Sequence, residues 1–350
     1  MRKPSEEDPM NVKEILEAAR GQVGPYCKAC PVCDGKACRS SMPGPGAKGT
    51  GTGAMRNYDG WQKIRLNLDT ICENVPVDTT ATLFGRTFKL PVFAAPIGAM
   101  KSHYGDKYGD QEYNDLLVAA CREAGIAAFT GDGLNIEIMR SAAAAIGENG
   151  GVGVPTIKPW NLEAVKERMA LVNEGKPFAI AMDIDAAGLP FLKNMTPPAG
   201  RKTVDELKAI TQMTDVPFII KGIMTVKGAL KALEAGAGGI VVSNHGGRVL
   251  DHCPATSDVL PEIAKAVGDK MTVLVDGGIR SGHDVFRALA LGAHGVLIGR
   301  PMVTMIYGGG KEGLGAYVDQ LQNELKDAME MCGAASIAHI DSTMVRKMAE

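Results

Sequence analysis

The stretch GIMTVKGALKALEAGAGGIVV (residues 222–242) recurs without gaps as GIRSGHDVFRALALGAHGVLI (residues 278–298). Each copy has the pattern of a turn, a helix and a strand. Residues suited to helix caps match between the copies, a hydroxyl residue before the helix and a glycine after it: Thr225, Ser281, Gly236 and Gly292. The repeat predicts two neighbouring units of an alternating α/β fold.

Short apolar runs alternate with helical patterns over most of the chain. Eight such runs predict strands: 91–96, 125–131, 151–156, 178–185, 217–222, 239–247, 271–278 and 295–301. Their continuous apolarity is typical of strands buried on both faces, and helices between them supply parallel crossovers. Because eight strand–helix units in succession suit a closed barrel, we predict an α/β fold of the (β/α)8 TIM-barrel class.

Three regions follow from this prediction. Residues 1–87 form an N-terminal extension, 88–305 the barrel, and 306–350 C-terminal helices that close it. The extension begins with an Asn-x-x-Glu capping box at Asn11 and Glu14, which predicts a short helix. It continues through a cysteine segment (residues 27–38) and a Gly/Pro stretch (residues 42–53). It is too small for its own core, so we expect it to pack over one end of the barrel.

The composition excludes several classes of function. The 350 residues carry a formal charge of -2 with scattered basic residues, which disfavours nucleic acid as a partner. The charged N-terminus lacks a signal-peptide core, and no apolar run approaches the length of a membrane span. We therefore expect a cytoplasmic protein with reduced cysteines and no membrane partner.

Polar residues end the predicted strands and should meet on one rim of the barrel, where the active sites of such barrels lie. They are Asp183 or Asp185, Lys221, Ser243, His245, Arg248, Asp276, Arg280 and Arg300. Gly277, Gly278 and Gly299 offer backbone N–H groups beside Arg280 and Arg300 at the starts of the last two helices. This combination predicts a phosphate site.

His245 and Arg248 stand in the sequence Ser-Asn-His-Gly-Gly-Arg at the end of the sixth predicted strand. Two glycines let the backbone approach a flat ligand closely. The imidazole can take a proton near neutral pH, and a guanidinium can hold a carboxylate through two parallel hydrogen bonds. The pair therefore predicts proton transfer on a bound carboxylate.

Several segments together resemble one family. IIKGIMT, VVSNHGGRVLD, VDGGIRSGHDVFRALALGAHGVLIGRP and APIGAM are similar to the FMN-dependent 2-hydroxy acid oxidases and dehydrogenases, which include glycolate and lactate oxidases. The likeness is dense over 215–302 and weaker over 60–185.

The resemblance implies an FMN-dependent oxidoreductase that converts a lactate-like or glycolate-like 2-hydroxy acid into a 2-oxo acid. His245 is then the base, Arg248 holds the substrate carboxylate, Asp183 orients His245, and Lys221 faces the flavin. The other FMN-binding residues it implies are Ala95, Pro96, Ile97, Gly98, Ser243, Asp276, Gly277, Gly278, Arg280, Gly299 and Arg300. It also implies a homo-oligomer.

The chain departs from the family's pattern at three substrate contacts. Pro155 stands at the position of one tyrosine, 183–190 lacks the family's second arginine, and the Gly/Pro stretch replaces a second tyrosine. Candidates to replace these contacts are Tyr26, Tyr104 and Lys158. Two other functions therefore stay open: non-redox, isomerase-like chemistry on a flavin barrel, and a flavin/iron–sulfur electron-transfer protein without turnover of 2-hydroxy acids.

The cysteine segment holds four of the eight cysteines, at Cys27, Cys30, Cys33 and Cys38. Its spacing is close to that of bacterial iron–sulfur proteins, and four thiolates can equally bind zinc. The alternative is a reduced, redox-sensitive loop. An iron–sulfur cluster near a flavin would imply a protein as electron acceptor.

Overall fold

In the computed structural model of the chain, which describes residues 11–192 and 194–348, eight parallel strands form a closed barrel. The strands are β1 (Ile64–Leu66), β2 (Ala81–Leu83), β3 (Arg86–Phe88), β4 (Val92–Ala94), β5 (Ala127–Thr130), β6 (Gly153–Ile157), β7 (Ile180–Asp183), β8 (Phe218–Ile223), β9 (Gly239–Val242), β10 (Thr272–Asp276), β11 (Gly295–Ile298) and β12 (Val345–Lys347). The barrel consists of β4 to β11 in sequence order, with β11 pairing back onto β4. Each predicted strand is confirmed, and so is the (β/α)8 class.

Helices pack around the barrel and at its ends. They are α1 (Val12–Arg20), α2 (Gly53–Gln62), α3 (Met100–Tyr104), α4 (Asp110–Glu123), α5 (Glu137–Glu148), α6 (Leu162–Glu174), α7 (Val204–Thr211), α8 (Val226–Glu234), α9 (Thr256–Val267), α10 (Gly282–Ala290) and α11 (Arg300–Cys332). Short 3-10 turns follow β7 (Ile184–Gly188) and β9 (His245–Gly247).

The sequence repeat folds as two equivalent units, β8–α8–β9 and β10–α10–β11. Thr225 and Ser281 accept hydrogen bonds from backbone N–H groups of the first turn of α8 and α10, as the capping pattern predicts. Gly236 and Gly292 follow those helices with φ of 84° and 96°, a conformation that side chains disfavour. The capping residues thus set where each crossover helix begins and ends.

The barrel interior is filled with side chains rather than open. Its inward-facing residues are Phe93, Ala127, Phe129, Val154, Ala179, Ala181, Ile219, Val241, Leu274 and Leu297. The β2–β3 hairpin closes the end opposite the active site, where Phe88 stacks edge-on against Phe93 with ring centroids 5.0 Å apart. This plug leaves the carboxyl ends of the strands as the accessible face.

The N-terminal extension and the C-terminus both pack on the barrel. The Asn11–Glu14 capping box is present, and α1 lies against α11. Helix α2 lies against α9 and the turn after β9, which places the extension over the carboxyl ends of the strands as expected. Strand β12 pairs antiparallel with β1. The predicted boundary at 305/306 falls inside α11, and the chain after α11 forms 3-10 turns and β12 rather than further helices.

Candidate active site

A cavity of about 950 Å³ opens at the carboxyl ends of the barrel strands. The residues predicted for the site that line it are Ala95, Pro96, Ile97, Gly98, Lys221, His245, Arg248, Asp276, Gly277, Gly278, Arg280, Gly299 and Arg300. Ser243 and Asp183 do not line it, but each contacts a residue that does. Of the three proposed replacements for missing family contacts, Tyr104 and Lys158 line the cavity and Tyr26 does not.

Lys221 enters the cavity from β8 at a bulge. The register shifts between Lys221 and Ile223, and Gly222 between them has a φ of 104°. A Cβ on Gly222 would lie 2.5 Å from the Cβ of Asp185, so only glycine fits there. Lys221 Nζ donates to Ser243 Oγ at 3.0 Å and lies 3.5 Å from Asp276 Oδ2.

Three neighbouring carboxylates stabilise the charged form of Lys221. Burial lowers the pKa of this ammonium, but the carboxylates of Asp185, Asp276 and Asp183 outweigh burial and raise the pKa above its usual value. Lys221 is therefore a permanent cation on the floor of the cavity.

The turn after β9 sets the position of His245. Ser243 Oγ accepts from the backbone N–H of His245 at 3.1 Å, and the Asn244 side chain accepts from that of Gly247 at 3.1 Å. Asn244 also exchanges two hydrogen bonds with the side chain of Asn57 on α2, at 2.7 and 2.8 Å. His245 itself has a φ of 56°, unusual for a residue with a side chain and typical of functional turns.

His245 contacts a different aspartate from the one expected. Its Nδ1 lies 2.9 Å from Asp185 Oδ1, whereas Asp183 Oδ2 bonds Lys158 Nζ at 2.5 Å. The 3-10 turn after β7 brings Asp185 to His245. The contact is therefore made by the residue two positions beyond the end of the strand. Burial lowers the pKa of His245 well below its usual value, and the cations Lys221 and Lys158 lower it further. This environment therefore favours the neutral imidazole.

Arg248 is held by two acceptors that the sequence did not indicate. Its Nη2 donates to the carbonyl of Pro43 in the Gly/Pro stretch and lies 3.3 Å from His103 Nε2. His103 Nδ1 lies 2.8 Å from the carbonyl of Gly98, which can only accept, so Nδ1 carries the hydrogen and Nε2 accepts from Arg248. Burial and the Arg248 charge lower the pKa of His103 to about 4. A neutral imidazole thus orients the guanidinium.

The residues predicted to bind a phosphate lie in the wall of the same cavity. Arg280 Nε donates to the carbonyl of Cys33 at 2.8 Å, and Arg300 Nη1 to the carbonyl of Pro45 at 3.3 Å. Helices α10 and α11 begin beside these two arginines, with Ser281 and Gly299 as their N-caps. Cations and helix N-termini together favour a phosphate.

Unpaired polar atoms test whether the residues suit FMN. Among the described residues, buried side-chain atoms without a hydrogen-bond partner include Arg248 Nε, Asp276 Oδ1 and Arg280 Nη2. An arginine donor suits the phosphate, an acidic acceptor suits the hydroxyls of the ribityl chain, and Lys221 suits the electron-rich edge of a reduced flavin. The residues therefore fit FMN.

Comparison with known proteins gives the same class. The model of the FMN-dependent dehydrogenase family matches residues 45–190 and 191–347. A peroxisomal (S)-2-hydroxy-acid oxidase of Oryza sativa subsp. japonica is 30% identical over 370 residues, covering 96% of each chain. A peroxisomal (S)-2-hydroxyacid oxidase of Arabidopsis thaliana is 47% identical over 145 residues, which span 41% of this chain and 39% of that protein. A mandelate oxidase variant solved with a C4a-OH-FMN adduct superposes with a TM-score of 0.74 and 28% identity, covering 94% of this chain and 97% of that chain.

The chain belongs to the FMN-dependent dehydrogenase family, and FMN is its cofactor. It is an FMN-dependent oxidoreductase, which disfavours the isomerase-like alternative. In the described ranges, no helix combines the length and apolarity needed to cross a bilayer. The comparisons give no support for zinc or an iron–sulfur cluster in the cysteine segment.

Proposed function

We propose that the chain oxidises a small, lactate-like or glycolate-like 2-hydroxy acid to the 2-oxo acid, with His245 as base and Arg248 as carboxylate clamp. One observation carries the proposal: an imidazole in contact with a carboxylate and a guanidinium line the same cavity as the residues proposed to bind FMN. The named activities of the relatives support the same substrate class.

Asp185 determines what His245 can do. Because Asp185 accepts the Nδ1 hydrogen, Nε2 has a free lone pair and can take the proton of the substrate hydroxyl. The imidazolium that forms then lies against a carboxylate, as in catalytic triads. FMN, when bound, accepts the two electrons and the α-hydrogen that leave the substrate carbon.

Asp183 acts through Lys158 in this proposal. Lys158 Nζ lies in the cavity wall, and its backbone N–H donates to Asp132 Oδ2 at 2.9 Å, which fixes the start of the side chain. Asp132 is itself buried against Arg168. We assign Lys158 to the substrate end of the cavity, where it takes the place of the family's second arginine, and Asp183 holds it there.

The proposed activity is tested by anaerobic reduction of the FMN-loaded protein. Lactate, glycolate and larger 2-hydroxy acids are each mixed with the enzyme, and loss of flavin absorption is followed in time. We expect bleaching by at least one of them, and no bleaching by its analogues that lack the hydroxyl or carry an amide in place of the carboxylate. Retention of full flavin absorption with every acid would contradict the proposal.

Two matched variants distinguish the roles of the strand-end aspartates. Asp185→Asn is expected to slow flavin reduction by about 10- to 100-fold, because the imidazole loses its charged partner and its fixed tautomer. Asp183→Asn should mainly raise the substrate concentration for half-maximal reduction, because it frees Lys158. Stopped-flow reduction at several substrate concentrations separates the two effects. The reverse pattern would assign the orienting role to Asp183, as the family resemblance implies.

We further propose that the enzyme is a cytoplasmic homo-oligomer that passes electrons to an acceptor protein. Strongly exposed apolar side chains near β1, Leu68 at 71% and Ile71 at 97% exposure, support association between copies. A mass in solution equal to that of one 36.8 kDa chain would contradict the oligomer.

A further inference from the structure

Two 3-10 turns at the carboxyl ends of the barrel strands carry the proposed base and its carboxylate partner. The turn after β7 (Ile184–Gly188) holds Asp185, and the turn after β9 (His245–Gly247) holds His245. The two side chains meet at 2.9 Å, between Asp185 Oδ1 and His245 Nδ1. Because β8 lies between β7 and β9 in the barrel, no strand pairing joins the two turns directly. Contacts outside the sheet must therefore hold them together.

Lys48, in the Gly/Pro stretch of the N-terminal extension, bridges the two turns. Its Nζ donates to the carbonyl of Gly188 at 3.0 Å and to the carbonyl of Val249 at 2.9 Å. Its backbone N–H donates to the carbonyl of Gly247 at 3.0 Å. Gly188 is the last residue of the first turn, Gly247 is the last of the second, and Val249 follows two residues later. One residue of the extension thus forms hydrogen bonds with both turns.

The bridge lies where backbone packs directly against backbone. A Cβ on Gly188 would lie 2.8 Å from the carbonyl oxygen of Val249. A Cβ on Gly247, whose φ is 82°, would lie 2.8 Å from the Cα of Gly53 at the start of α2. Only glycine fits such close approaches. The hydrogen bonds of Lys48 therefore join segments that are already in contact, so they can fix the distance between the turns.

The chain on either side of Lys48 is also anchored. The backbone N–H of Thr50 donates to Asp251 Oδ2 at 2.7 Å, and its hydroxyl donates to Asp251 Oδ1 at 3.0 Å. On the other side, the carbonyl of Pro43 accepts from Arg248. The Gly/Pro stretch therefore lies along the chain that follows β9 and presents Lys48 at a fixed place.

An ammonium group suits this bridge because it has three donors and no acceptor. Two of these donors reach one carbonyl near the end of each turn. A carbonyl that is taken out of water needs such a donor. Methionine at this position would have a similar length but would donate to neither carbonyl.

We infer that Lys48 is a positioning residue for the oxidation: by bridging the two turns, it keeps Asp185 in contact with His245. Lys48 does not line the cavity, so it acts through the turns and not on the substrate or on FMN. Proton transfer is sensitive to small displacements of the base, which gives the bridge its effect on rate. The inference rests on the roles proposed above for His245 and Asp185.

The first test is stopped-flow reduction of the FMN-loaded Lys48→Met variant. We expect the limiting rate to fall by about 10-fold, because the base is held less precisely. The half-saturating substrate concentration should change little, since Pro43 and His103 still hold Arg248. Lys48→Arg keeps several donors and should retain most of the rate. Lys36→Met, at an exposed lysine of the same extension, is the matched control and should match the unmodified enzyme.

A double variant shows whether Lys48 acts through the Asp185–His245 contact. Lys48→Met combined with Asp185→Asn should reduce flavin no more slowly than Asp185→Asn alone, because the contact that Lys48 positions is already weakened. Rate losses that multiply would overturn the inference, since they would place the effect of Lys48 elsewhere. An unchanged rate in Lys48→Met, or a Lys48→Arg variant as slow as Lys48→Met, would overturn it as well.

Amide hydrogen exchange tests the bridge without any substrate. In the FMN-loaded protein, Lys48→Met should speed exchange in peptides that cover residues 184–192 and 245–251, and it should leave residues 278–300 unchanged. Lys48→Gln, which keeps one donor group, replaces Lys48→Met if that variant loses FMN. Unchanged exchange in both turns would overturn the bridge. If no 2-hydroxy acid reduces the flavin of the unmodified enzyme, the proposed function fails, whereas the exchange result still decides whether Lys48 holds the turns.

Discussion

His245→Asn is expected to slow substrate-driven flavin reduction by about 10³-fold while FMN stays bound, because the change removes the base and few cofactor contacts. Asparagine is the suitable replacement, since His245 has a φ of 56° and asparagine tolerates that backbone better than alanine does. Stopped-flow reduction with the best 2-hydroxy acid gives the rate, and the flavin spectrum gives the FMN content. His283→Asn, on the exposed side of α10, serves as the control.

The pH dependence of the unmodified enzyme tests the same assignment. Only the neutral imidazole can accept a proton, and burial with Lys221 and Lys158 keeps the pKa of His245 well below 6.5. The rate of flavin reduction should therefore stay constant as pH falls through about 6.5, the ordinary value for histidine. A near-normal rate in His245→Asn, or a loss of rate centred near pH 6.5, would refute His245 as the base in this environment.

Arg248→Lys is expected to raise the substrate concentration for half-maximal reduction by about 10- to 100-fold, with a smaller effect on the limiting rate. Lysine keeps the charge but replaces the planar set of guanidinium donors with a single nitrogen, and one charge-assisted hydrogen bond is worth about 1.5–3 kcal/mol. It also cannot reach the carbonyl of Pro43 and His103 Nε2 in the same geometry.

Saturation curves for flavin reduction measure this effect, and Arg122→Lys on the surface of α4 is the matched control. An unchanged half-saturating concentration would mean that another cation of the cavity wall, such as Lys158, holds the substrate carboxylate. The limiting rate of flavin reduction is the second readout. A large fall in this rate with an unchanged half-saturating concentration would place Arg248 in the chemical step rather than in substrate binding.

Local patterns were sufficient to predict the barrel and to place the residues proposed for a phosphate site on one rim of it. Continuous apolar runs indicate strands that are buried on both faces, and the capping residues Thr225 and Ser281 indicate where helices start. Both signals depend on only a few neighbouring residues, so the sequence is enough to detect them. The positions of Lys221 and His245 at strand ends follow from the same alternation, since parallel strands end on one rim.

The rest of the site depends on contacts between distant parts of the chain. The choice of Asp185 over Asp183 is decided by the direction of a 3-10 turn, which the sequence DIDAAGLP does not reveal. His103 reaches Arg248 across 145 residues, and Asn57 reaches Asn244 across 187. No periodic pattern encodes such pairs, so only the folded chain identifies them.

The contacts between the N-terminal extension and residues after 300 have a consequence for biosynthesis. The His245 turn is braced by Asn57 from the extension, α1 rests on α11, and β1 receives its partner strand from residues 345–347. A nascent chain therefore cannot complete this arrangement until residues 345–347 have left the ribosome. Residues 88–305 expressed alone lack Asn57, α1 and β1, and they should give an inactive scaffold.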